Sequence, residues 1–313
     1  MMLLAGFDGG QTSIRCRLSQ WDDGRWQLRG EGRGPGVTHL KAPDGEQRFR
    51  AAIRISFAEA GRELGDVPVA AAVIGASGIE QGTPVQQRAS ALLSEELTLD
   101  GARSFATGDE RTALRGAFPE GAGIVLISGT GMICLGRNEQ GSEHRCGGWG
   151  WLLDGGGSAF DLGHQGLQLC LRMADGRLPE HPLRQEIWRS MGCDSSAAVK
   201  ARAVQPDFGA AGFATLAPLL VAAAEQGLEE AEAIVRRSAE TLSASVETVA
   251  SRLHLTSPRL VTRGGALDPR NHFSDAVKAA IDRRLPQARW TAADGDACQG
   301  ALVMAKELAF RLR

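Results

Sequence analysis

Apolar residues along the first hundred positions come in short unbroken runs that end at glycine, the pattern of buried strands rather than of long amphipathic helices. Leu3 to Phe7 is such a run and stops at Asp8-Gly9-Gly10. Ile14 to Leu18 resumes it, so Gly-Gly, which suits the positive-φ positions of tight turns, joins two strands in a hairpin. A third strand near Trp26 to Gly30 completes an antiparallel meander, after which Glu46 to Leu64 carries apolar residues at helical spacing. Val69 to Ile74 reads as a strand buried on both faces, Pro84 to Leu97 as a helix and Ser104 to Thr107 as a strand. Strands alternating with helices predict a parallel extension of the meander, hence one α/β domain.

The layout then repeats. Ile124 to Ser128, Gly129-Thr130-Gly131 and Ile133 to Leu135 again spell strand, glycine turn, strand. Ser158 to Leu255 is almost wholly helical by period, most clearly over Leu228, Ala231, Val235, Leu242, Val246, Val249 and Leu253. Leu260 to Gly265 returns to strand and glycine, followed by helix His272 to Arg284, strand Ala288 to Thr291 and helix Cys298 to Leu312.

Composition narrows the partners. With 43% apolar and 23% charged residues, the 313-residue chain can bury one large core or two modest ones. A formal net charge of −2 offers no long-range positive field for nucleic acid or anionic lipid, so a small-molecule partner is expected, with no nucleic acid and no membrane. The six cysteines are scattered and never form a CxxC pair, which argues against zinc, iron–sulfur and redox motifs and for buried free thiols. The uncharged stretches Gly121 to Gly136 and Gly209 to Ala224 fall short of the ~20 residues that span a bilayer. No signal-type segment opens the chain, and a cytoplasmic location is expected.

The chemistry sits at the glycine turns. Backbone that can approach a ligand closely and present its amides is what a polyphosphate needs. In the first turn Asp8, Gly9, Gly10, Gln11 and Thr12 bring a carboxylate, amides and a hydroxyl together, where Asp8 would hold a magnesium ion through water. Gly129, Thr130 and Gly131 offer amides without an acid, for direct contact with phosphate oxygens. Between these turns lies Thr107-Gly108-Asp109-Glu110, with Asp109 a plausible helix N-cap or the base that takes a proton from an attacking hydroxyl. Leu260 to Ala266 runs a strand into Gly264-Gly265, a place for an adenine or ribose to rest on bare backbone.

Taken in order, Asp8-Gly9-Gly10-Gln11-Thr12, Thr107-Gly108-Asp109, Ser128-Gly129-Thr130-Gly131, Gly147-Gly148-Trp149-Gly150 and Gly264-Gly265 resemble the phosphate-1, catalytic, phosphate-2, sugar-loop and adenosine motifs of the N-acetylglucosamine and glucosamine kinases, within the BadF/BadG/BcrA/BcrD ATPase group. The closing Asp296 to Leu302 is similar to that family's DxxxGAL helix start, so the resemblance covers nearly the whole chain. It implies an α/β fold of two ribonuclease-H-like, actin-like lobes around a nucleotide cleft. Residues 1–118 would form the first lobe and 119–297 the second, with a helical insert over about 158–255 and a terminal helix, 298–313, packing back on the first lobe. It also implies ATP and Mg2+ as cofactors, Asp109 as catalytic base, and Ser77, Gly148, Trp149 and Asp154 on the sugar side. A homodimer is the family expectation.

The chain departs from the family pattern at Gln11 and Met132, which enlarge residues in the two phosphate turns, and at Val37, where the family carries Asn. In Asp154-Gly155-Gly156-Gly157-Ser158 the family's acid falls on Gly155, leaving Asp154 one residue early. Two other readings follow from the same residues: an iron–sulfur ATPase of the group, disfavoured by the cysteine spacing, and a sugar or nucleotide sensor that has drifted at the sugar loops.

Overall fold

The computed structural model describes residues 2–65 and 67–312; Met1 and Arg313, the outermost residues of the expected first lobe and terminal helix, lie outside the described residues. The chain divides into two compact units, Met1–Gly121 with Ala292–Arg313, and Ala122–Thr291.

In the first unit, β1 (Met2–Gly9), β2 (Ser13–Asp22) and β3 (Arg25–Pro35) form the meander, followed by α1 (Gly45–Ala60), β4 (Val69–Ala76), α2 (Pro84–Leu97), β5 (Ser104–Thr107) and α3 (Asp109–Ala117). The sheet order is β3-β2-β1-β4-β5, with β1, β4 and β5 parallel. Strand β1 is buried on both faces because its apolar run is unbroken: Leu3, Ala5 and Phe7 pack with Phe49, Ile53, Leu92 and Leu93, and Met2 and Leu4 with Ala301, Leu302 and Ala305.

The meander's third strand is longer than the apolar run suggests. Its extension carries Gly30, Gly32 and Gly34 at strand period, and a Cβ at these positions would strike the backbone of Ala60, Ser56 and Ala52 on α1. Those partners are spaced four apart, one stripe of a helix, so α1 lies against bare strand backbone. Glycines that read as a strand end are the contact surface itself.

In the second unit, β6 (Gly123–Ser128), β7 (Met132–Arg137) and β8 (Glu143–Gly147) form a second meander, of which β8 is a half-buried polar edge with no apolar run to announce it. Six helices follow: α4 (Ala159–Ala174), α5 (Pro182–Ser190), α6 (Ser196–Ala203), α7 (Gly209–Ala214), α8 (Ala217–Glu225) and α9 (Glu229–Arg252). Then come β9 (Arg259–Arg263), α10 (His272–Arg284) and β10 (Arg289–Trp290), while α11 (Ala297–Arg311) belongs to the first unit and packs on β1, β4 and α3.

The second sheet runs β10-β9-β6-β7-β8 with β6, β9 and β10 parallel, the same meander plus two parallel strands as the first. The repeated glycine hairpin in the sequence is thus the visible part of a repeated topology. No single helix among the described residues is long and apolar enough to cross a membrane.

Candidate active site

The carboxyl ends of β1, β4 and β5 lie side by side, with Asp8 opposite Gly75 and Gly75 opposite Thr107. This alignment brings Asp8, Ser77 and Asp109 to one edge of the first sheet. Gly9 and Gly10 do not take positive φ, contrary to the turn argument. At Gly9 the reason for glycine is close approach, since a Cβ there would lie 3.0 Å from that of Ala76. Gln11 and Thr12 are exposed at the tip of the turn.

Asp109 is the first residue of α3, not its N-cap; Gly108 holds that place, and a side chain at Gly108 would run into the carboxylate of Glu110. Burial pushes the Asp109 carboxyl up to about 7, with the charges of Glu110 and Asp8 adding to the effect and backbone N–H bonds at the helix start opposing it. A carboxyl held near neutrality at the head of a helix is suited to accept and release a proton. Two residues before it, the buried Thr107 hydroxyl has no hydrogen-bond partner.

Two residues set the charge around Asp8: Arg15, which no motif singled out, and Asp296, which opens the DxxxGAL-like segment. Arg15, the cross-strand partner of Asp8, donates from Nη2 to Asp8 Oδ2 at 2.8 Å and from Nη1 to Asp296 Oδ2 at 3.3 Å. Asp296 in turn caps α11 through the Gln299 N–H and takes both Nη atoms of Arg17, at 2.9 and 3.0 Å. Asp8 is therefore partly neutralised and partly exposed. A hydrated Mg2+ needs one or two carboxylates and keeps most of its waters, which fits this donor set; among the described residues no group of three His, Cys, Asp or Glu side chains gathers.

The loop after β3 is built as tightly. The Val37 N–H donates to Gly10 O at 3.0 Å and the Val37 side chain is buried in the core, so it does not offer the acceptor contact that the family's Asn position suggests. The neighbouring Thr38 hydroxyl is buried without a partner, and the His39 ring lies over Gly78, beside Ser77.

In the second unit, a Cβ at Gly129 or Gly131 would meet nothing within 4 Å, so the turn faces open space. The Gly129 N–H is spent on Gly131 O at 2.9 Å, which leaves Thr130 and Gly131 as the amides for a phosphate instead of all three. Met132 does not crowd this turn: it is buried, with its sulfur packed under Gly147.

Gly264, with φ of 97°, presses against Ser128 O at the foot of the same turn, and Gly265 opens beside it. Together Gly129, Thr130, Gly265 and Ala266 line one end of a cavity of about 590 Å3 that is completed by Ala159 and the flank of α8, within the range of small-ligand sites. The sequence motifs located one end of this cavity; its helical wall carries no motif.

The sugar-loop residues are also in this unit. Gly147, Gly148 and Gly150 all have left-handed φ, so the GGWG spacing is a backbone requirement. Trp149 is 61% exposed with Arg145 stacked over it, which rules out a core-filling role. Asp154 is half-buried, its N–H bonded to Gly150 O. Gly155 has no room for the family's acid without a shift, because a Cβ there would lie 2.8 Å from Trp151 O. Cys16, Cys134, Cys170 and Cys298 are buried free thiols, and burial pushes those of Cys170 and Cys298 up to about 12.

Two meander-plus-crossover sheets with glycine turns at the strand ends define the actin-like sugar kinase fold. A crystal structure from Chromobacterium violaceum, described as a candidate N-acetylglucosamine kinase, superposes over 97% of this chain and 99% of its own with a TM-score of 0.74 at 27% identity. The ROK hexokinase of Thermus thermophilus shares the fold at a TM-score of 0.57 and 17% identity, over 99% of each chain. The chain belongs to the BadF/BadG/BcrA/BcrD ATPase family, whose model matches residues 5–305. Among curated relatives, an N-acetylmuramic acid/N-acetylglucosamine kinase of Clostridium acetobutylicum is 27% identical over 63% of this chain and 65% of its own length. An N-acetyl-D-glucosamine kinase of Dictyostelium discoideum is 30% identical over 58% and 59%. The matched segments thus span less than two thirds of either relative.

Proposed function

We propose that this chain transfers a phosphoryl group from ATP to an amino sugar, N-acetylglucosamine or glucosamine, at the 6-hydroxyl. The observation that carries the reading is Asp109: a carboxyl poised near neutrality at the strand edge shared with Asp8 and Ser77, beside the unpaired Thr107 hydroxyl. In this reading Asp109 accepts the proton of the sugar hydroxyl, and Ser77 orients the ring. The cavity of the second unit takes the nucleoside, with the Thr130 and Gly131 amides on its phosphates. Mg2+, held near Asp8 through water, would offset charge on the phosphoryl oxygens. The family and the named relatives support this reading; the residue roles are ours.

The test is ADP release from ATP and Mg2+ over glucosamine, N-acetylglucosamine, N-acetylmannosamine, N-acetylmuramic acid and glucose. Selective turnover of N-acetylglucosamine or glucosamine is expected. Turnover of glucose alone would remove the amino-sugar assignment, and silence across the panel with ATP still bound would favour a sensor. A pH profile gives a second check. Because the base must be ionised, kcat/KM for the sugar should fall below about pH 7, close to tenfold per unit. A profile flat from pH 5 to 8 would mean that another group takes the proton.

A further inference from the structure

The long wall of the second unit's cavity is one face of α8. Ala217, Pro218, Val221, Ala222 and Glu225 line it, positions that recur with helical period, and all but the last are apolar. The cavity has polarity at both ends, but most of it is already committed. Asn271 caps α10 by accepting from the Ser274 N–H at 2.7 Å, and its amide nitrogen donates to Ala266 O at 3.1 Å. Arg270 is paired with Asp268. Among the described residues nothing pairs with the Glu225 carboxylate.

Direction along the wall follows from the packing at its start. The Ala159 N–H donates to Gly129 O, which ties the head of α4 to the phosphate turn, and one turn later Gly163 abuts Ala217 N, where a Cβ would lie 3.2 Å away. The Ala217 end of α8 is therefore the phosphate end. Glu225 lies eight residues further, about 12 Å along the helix, at the far end of the cavity where a nucleoside would place its base.

Helix energetics give no reason for an acid there. Glu225 is the last residue of α8, where the helix dipole disfavours negative charge, and no ion pair offsets it. We propose that Glu225 is the base-reading residue of this pocket, accepting a hydrogen bond from the 6-amino group of an adenine. A carboxylate rewards a donor at that position and repels the carbonyl that a 6-oxo purine presents instead, so the same residue selects ATP over GTP. This rests on the reading of the cavity as the nucleotide site.

Calorimetric titration of the full chain with ATP and with purine riboside 5′-triphosphate, which differs only by loss of the 6-amino group, separates the two ideas. Wild type should prefer ATP by roughly tenfold or more, as a hydrogen bond to a charged group predicts. Glu225→Ala should bind both equally, with ATP falling to the level of the analogue; Glu225→Gln should keep part of the preference, and neither variant should melt lower than wild type. Equal binding by wild type, or a preference that survives in Glu225→Ala, would overturn the assignment of Glu225 while leaving the pocket a nucleotide site. Failure of wild type to bind either compound would overturn both.

Discussion

Replacing Asp109 with asparagine should cut sugar-dependent ADP formation by at least about a hundredfold while leaving nucleotide affinity nearly unchanged. Asparagine keeps the size of the side chain at the head of α3 and its capacity to accept from the helix N–H groups, but it cannot take a proton. The two readouts separate because the cavity proposed for the nucleoside lies in the second unit and Asp109 in the first. A third readout follows from the raised carboxyl. The folded protein holds this proton up to about pH 7, well above the ordinary carboxylate value, so folding is favoured by the group at low pH and loses that contribution as pH rises through 7. Asparagine removes the cost of ionising a buried carboxyl beside Glu110 and Asp8, and at pH 8 the variant should melt no lower than wild type. Loss of ATP binding together with turnover would mean that Asp109 shapes the site instead of serving as its base.

How much of this could be read from the chain depends on whether a residue acts through its neighbours in sequence or in space. Helices Pro84–Leu97 and His272–Arg284 match their expected bounds because Pro, Thr and Asn caps punctuate them locally. The glycine turns were visible because conformational demand at Gly147, Gly148 and Gly150 is written in consecutive letters. The apolar run stops short of β3's end because Gly30, Gly32 and Gly34 exist for a helix whose facing residues, Ala60, Ser56 and Ala52, lie 18 to 30 positions away, and β8 leaves no signal because an edge strand needs no apolar run. Asp109 could be located but not placed within its helix, since a cap and a first-turn residue differ by one position. Arg15 and Asp296 are separated by 281 positions and Glu225 stands alone at a helix end, so only the fold shows what they face. Met132 shows the converse: adjacency in sequence suggested crowding of a turn from which its side chain points away.

Gly264→Ala should lower nucleotide affinity by at least about tenfold and the melting temperature by several degrees, since both depend on one backbone contact. Gly264 has φ 97° and ψ 151°, a region essentially closed to residues with a side chain. Its missing Cβ would also fall on Ser128 O and within 3.0 Å of the Gly129 N, so relief is possible only by moving the foot of the phosphate turn. That movement propagates, because the Ser128 hydroxyl donates to Gly157 O in the interior and Gly129 O accepts from the head of α4. Strain of about 1–3 kcal/mol from the dihedral alone is enough to be seen in melting. Gly265→Ala is the control: its φ is not left-handed, a Cβ there meets nothing within 4 Å, and the added methyl enters the cavity without touching the scaffold. It should change nucleotide binding with little change in melting. If the two variants melt alike, the contact between the adenosine turn and the phosphate turn does not hold the pocket's shape, and the coupling of stability to nucleotide affinity would have to lie elsewhere in the second unit.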